Sequence, residues 1–147
     1  MKNEKTVLND LIETLKDGQE GFKQAAEAVN DPKLKSLFRD YSQQRSRFAA
    51  ALQSEARRDG ETEPETSSSA AGALHRGWIN LKSAITGGEE HTILAECERG
   101  EDSAVEEYKK ALEDGLTPAA QELVSRQFAE IKAAHDRIKS LRDSAKR

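Results

Sequence analysis

Apolar residues return every three or four positions along most of this chain, and that period is helical. No stretch alternates in the manner of a strand. Residues 6–29 set Val7, Leu8, Leu11, Ile12, Leu15, Gly18, Gln19, Phe22, Ala25, Ala26 and Val29 in one broad arc. "NDP" (Asn30 to Pro32) then ends the first helix and starts the second, with Asp31 suited to the N-cap and Pro32 to the first helical position. The second helix covers about 32–58, with Leu34, Leu37, Phe38, Tyr41, Arg45, Phe48, Ala49, Leu52 and Ala56 on its stripe. It closes at "RRDG", where Gly60 can take a left-handed cap. The third runs about 89–113, and "DGLTP" (Asp114 to Pro118) supplies Gly115 as a stop, Thr117 as a cap and Pro118 as a start. The fourth runs about 118–145, with Leu123, Val124, Gln127, Phe128, Ile131, His135, Ile138 and Leu141 inward.

Between the second and third helices lies a crossover, residues 60–88. Its first part, "ETEPETSSS", is polar and linker-like, and a short helix at about 68–86 carries Leu74, Trp78, Leu81 and Ile85. A stripe containing Trp is costly to leave in water, so Trp78, Leu74 and Leu81 are expected to cover the bundle, with docking on a partner as the alternative. Helices of this length are roughly 37 Å long. The two tight joins make each helix pair antiparallel, and the crossover brings the chain back along the bundle. The second and third helices therefore run parallel. The expected fold is all-α, a ferritin-like antiparallel four-helix bundle with one long crossover containing a short extra helix, over residues 1–147 as one domain.

Composition agrees with long, wet helices: 34% of residues are charged and 5% aromatic. The net charge is −4 and no face concentrates Lys and Arg, which excludes nucleic acid as a partner. Cys97 is the single cysteine and sits on an apolar stripe, where it acts as a small core filler. The N-terminus has no apolar signal core, and no run approaches the ~18 apolar residues of a membrane span, so a cytoplasmic protein is expected.

Four polar residues interrupt the apolar stripes. Gln19, Arg45, Glu101 and His135, one per long helix, all fall roughly three to four turns from the same end of the bundle. Gln127 also faces inward, about two turns lower. A ferritin-like di-metal centre occupies such a level, using a Glu from each of two helices and Glu-x-x-His from each of the others. Here Gln19 is neutral, Arg45 is a permanent cation, and Lys132 stands where a Glu should precede His135. A Glu101–Arg45 ion pair, with Gln19 and His135 completing its hydrogen bonds, accounts best for a carboxylate on the third stripe. A single metal held by Glu101, His135 and Glu98 is the alternative, and a rotation placing Glu101 at the rim is a third arrangement. His75 and His91 read as surface or boundary residues. No nucleophile–His–acid set or phosphate-binding glycine loop occurs, so no catalytic residue is expected.

The segments "VLNDLIETLKDGQEGFKQAAE", "LHRGWINLKSAITGG" and "ILAECERGEDSAVEEYKKAL" resemble a bacterial ferritin-like family known mainly as a domain of unknown function. The Trp78 block and "AECERGED" (Ala95 to Asp102) carry most of the likeness. It extends over nearly the whole chain and implies the ferritin-like bundle and a role in bacterial stress conditions, with no reaction attached. The wider group, which includes bacterioferritin, ferroxidases and rubrerythrin-like peroxidases, implies iron ligands only at Glu101 and His135. Two functions follow as expectations. One is a non-enzymatic bundle acting by protein interaction or self-assembly, a homodimer by analogy with ferritin-like proteins. The other is an iron- or other divalent-metal-dependent oxidoreductase or iron-handling protein.

Overall fold

The computed structural model describes residues 4–58, 77, 78 and 80–145. Among these, five α-helices and no strand occur: α1 (Glu4–Ala28), α2 (Pro32–Arg58), α3 (Leu81–Gly87), α4 (Glu90–Glu113) and α5 (Pro118–Ala145). The punctuation follows local chemistry. The Lys33 amide donates to Asp31 Oδ1 at 2.8 Å, which caps α2 before Pro32. Gly115, at φ 74°, takes the left-handed conformation that releases the chain from α4. The Gly60 cap, the polar linker, Leu74 and His75 lie outside the described residues.

The core is in two parts. One holds Val7, Leu8, Leu11, Ile12 and Leu15 of α1 with Ala49, Leu52 and Ala56 of α2, Ala104, Tyr108 and Ala111 of α4, and Val124 and Ile131 of α5. The other holds Phe22, Ala25 and Ala26 of α1 with Leu34 and Phe38 of α2, Ile93, Leu94 and Cys97 of α4, and Ile138 of α5. The start of α1 thus meets the ends of α2 and α4, so α1 and α5 run one way and α2 and α4 the other. α1 packs on α2 and α4 on α5, and an α1–α4 contact joins the two hairpins. α2 and α5 meet across a wider seam. No helix among the described residues is long and apolar enough to cross a membrane.

The crossover departs from its expected form. Residues 77, 78 and 80 are not helical, so the described part of its helix begins only at Leu81. Gly77 has φ 99°, and a Cβ there would collide with the Arg99 carbonyl of α4. That backbone approach turns Trp78 inward, where it is 2% exposed. The indole lies between Gly21 of α1 and Gly100 of α4, and a Cβ on either glycine would overlap its ring atoms. Two helices therefore leave out side chains at one level to admit a Trp from the crossover. The Asn80 amide donates to Glu96 Oε2 at 2.8 Å, which fixes the start of α3 on α4.

Gly100→Ala is expected to destabilise the fold by about 1–3 kcal/mol through overpacking, and to move the emission of Trp78, the sole tryptophan, to longer wavelength. Unchanged emission and an unchanged denaturation midpoint would contradict the Trp slot.

Candidate functional site

The two apolar cores are separated by charge. On α1 the apolar contacts stop at Leu15 and resume at Phe22, on α2 they stop at Tyr41 and resume at Phe48, and on α4 they stop at Cys97 and resume at Ala104. Arg45 and Glu101 occupy the gap, at 1% and 0% exposure. Arg45 Nη1 donates to Glu101 Oε1 at 2.5 Å and Nη2 to Oε2 at 2.8 Å, a two-pronged pair that satisfies both carboxylate oxygens. Nε donates to Gln44 Oε1 at 3.1 Å. The guanidinium carbon lies 5.3 Å from the Phe22 ring centre. The Arg45 side chain lies over Gly18, where a Cβ would come to 3.5 Å from Nη1, an ordinary van der Waals contact.

Burial dominates the protonation of the groups around the pair, and the two charges modify it. Burial alone would lower the Arg45 pKa, and the adjoining Glu101 carboxylate reverses that and raises it. Burial, reinforced by Glu101 and Glu96, pushes the Cys97 thiol well up, so Cys97 is a neutral core group and not a nucleophile. Burial likewise raises Tyr108, whose hydroxyl donates to Gln127 Oε1 at 2.7 Å. Gln127 Nε2 in turn donates to the Phe48 carbonyl at 3.2 Å, so α5 ties α4 to α2 below the ion pair.

Of the four residues expected in one polar layer, the structure brings two together. Gln44, not Gln19 or His135, takes the third guanidinium N–H. Gln19 is half-buried, its backbone carbonyl accepts from Ser42 Oγ at 2.8 Å, and its side-chain oxygen is buried without a hydrogen-bond partner. His135 faces the α4–α5 seam instead. Gln127, Ile131, Ala134 and Ile138 form the buried stripe of α5, and His135, one residue past Ala134, lies about 100° round the helix. Its Nε2 meets Asp102 Oδ1 at 2.5 Å and its Nδ1 meets Asp136 Oδ1 at 3.0 Å. Burial lowers the His135 pKa, but the bonds to Asp136 and Asp102 outweigh it and hold the imidazole above its ordinary value.

The donors at the bundle centre do not fit a ferritin-type di-metal group. Glu101 is already doubly bonded to a permanent cation, its neighbours Gln44 and Gln127 are amides, and among the described residues no group of three His, Cys, Asp or Glu ligands meets there. Glu101 and His135 do not share a site. The described residues able to hold a metal are Glu98, Asp102 and His135, whose ligand atoms all lie within 4.8 Å of one another. Asp102 escaped the sequence reading because it lies off the apolar stripe. The signal was there in the i, i+4 spacing of Glu98 and Asp102, which places both on one side of α4. The Gly21–Trp78–Gly100 slot carried no comparable signal.

Residues 3–114 match the family described as Domain of unknown function (DUF2383). The matched span contains α1 to α4 and stops short of α5. No curated protein matches the chain.

Arg45→Met is expected to destabilise by about 3–5 kcal/mol, because it leaves a buried carboxylate unpaired. Adding Glu101→Leu should recover most of that loss in urea denaturation, and simple additivity of the two changes would contradict the pairing.

For His135 the folded pKa is raised, so its contribution is complete below the unfolded imidazole value of about 6.5 and fades as pH rises through the folded value. In chelator-containing buffer, the Tm advantage of wild type over His135→Gln should be larger at pH 5.5 than at pH 8.5. An equal or reversed difference would contradict the assigned contacts.

Proposed function

This chain belongs to the family Domain of unknown function (DUF2383), and from that premise we propose that it is a stress-related bundle of ferritin-like topology that works in the cytoplasm by binding a protein partner or a second copy of itself, not by catalysis at its centre. The topology is supported by the parallel course of α2 and α4, joined by a long crossover, which is the connectivity of ferritin-like folds. The observation that carries the functional reading is the Arg45–Glu101 pair, at the level where a ferritin-like bundle holds its metals. The guanidinium is 1% exposed and bonded through all three of its nitrogens. Beside a divalent cation it would add strong repulsion at low dielectric. Glu101 would have to give up both bonds to ligate.

Without central redox chemistry, the assets of the molecule are a rigid rod and its charged exterior. Such a surface favours polar, reversible contacts.

Anaerobic loading with ferrous iron followed by an oxygen pulse tests this reading. The expected result is no iron-dependent oxygen consumption and no diferric absorption. Two irons per chain with stoichiometric oxygen uptake would overturn it.

A further inference from the structure

We propose that Glu98, Asp102 and His135 form a binding site for one divalent transition-metal ion of the zinc class, on the α4–α5 seam outside the bundle centre. The three ligand atoms lie within 4.8 Å of one another, and two come from adjacent turns of one helix. Zinc–nitrogen and zinc–oxygen bonds are about 2.0–2.2 Å. Donors bound to one ion are thus at most about 4.4 Å apart, so small side-chain shifts complete the fit, with the exposed Asp102 backing away from its 2.5 Å contact with Nε2.

Two further observations point to a cation. Glu98 is 8% exposed, and its Oε1 is buried with no hydrogen-bond partner. The charge facing it is Arg142, whose Nη1 approaches to 2.9 Å without the alignment of a hydrogen bond. His135 is also oriented as a ligand. Asp136 holds its Nδ1 at 3.0 Å and aims Nε2 at the cluster, the carboxylate–imidazole arrangement found behind metal-bound histidines. An ion entering here replaces the hydrogen bond between Nε2 and Asp102. One imidazole with two carboxylates suits zinc, cobalt or nickel better than magnesium or calcium, which favour oxygen donors alone.

Arg142 distinguishes this site from the bundle centre. Its side chain is 28% exposed, and its Nη2 already reaches Asp143 at 3.1 Å, so it can leave Glu98 for Asp143 and water. Arg45 has no such exit. The site is therefore independent of the reading of the centre. Here one ion binds without oxygen chemistry, whereas failure of the central reading would appear as two irons and oxygen uptake.

The test is calorimetric titration of the full-length, chelator-stripped protein with Zn2+, and with Co2+ followed by its visible d–d absorption. The expected result is one ion per chain, with affinity falling at least tenfold in His135→Ala and in Asp102→Asn and rising in Arg142→Gln. In the long-range 1H–15N spectrum, Zn2+ should shift Nε2 of His135 and leave His75 and His91 in place. Asp102 is exposed, so Asp102→Asn keeps the test decisive even where His135→Ala impairs folding. No binding at millimolar Zn2+, or binding unchanged in both ligand variants, would overturn the proposal.

Discussion

A buried guanidinium–carboxylate bond holds the centre of this molecule, and the packing on either side is arranged around it. α2 and α4 do not approach each other closely along their backbones. They lie diagonally across the bundle, and Arg45 and Glu101 span that diagonal. Removing two charges from water is expensive, and only near-complete hydrogen bonding offsets the cost. The bond to Gln44 and the Phe22 ring each answer that requirement. The pair also fixes the register of α2 against α4, because a slip of one turn would leave both charges facing apolar side chains. Such a device specifies structure more than it adds stability.

Phe22 extends this constraint outward. Its ring faces the guanidinium, and it meets Trp78 edge-on with centroids 5.1 Å apart. Tyr41 and Phe38 flank it at 5.3 and 5.9 Å. Trp78 in turn fills the slot between two glycines on different helices. The crossover is thereby keyed into the same region of the bundle that contains the ion pair. Packing at native density transmits shifts rather than absorbing them, so disturbance at the crossover reaches the central pair through the Phe22 ring and through Gly100, the neighbour of Glu101.

Much of the fold was legible because helices announce themselves by periodicity and punctuation. Asp31–Pro32 and Gly115 mark ends by mechanisms that need no tertiary context. The Arg45–Glu101 contact was legible because each residue interrupts an apolar stripe at the same depth. His135 was harder. A one-residue offset separates it from the buried Ala134, and periodicity cannot resolve which of two neighbours faces inward when one is small and apolar and the other long and polar. Trp78 illustrates a different limit. Its spacing from Leu81 and Ile85 mimics a helical stripe, yet the backbone of Gly77 against Arg99 turns it out of any helix. That contact joins residues far apart in sequence and leaves no local trace.

Two polar arrangements with different physics thus sit close together on α4. Glu101 is sealed, matched and structural, whereas Glu98 and Asp102, on a neighbouring face, reach towards the solvent side of α5. The most direct test of the sealed pair is arginine-selective 13C–15N NMR of the guanidinium groups. A two-pronged buried pair restricts rotation about Nε–Cζ, so Arg45 should give two separate, slowly exchanging Nη signals between pH 5 and 8. A single averaged Nη signal for every arginine, as surface side chains give, would contradict the bond on which the bundle is built.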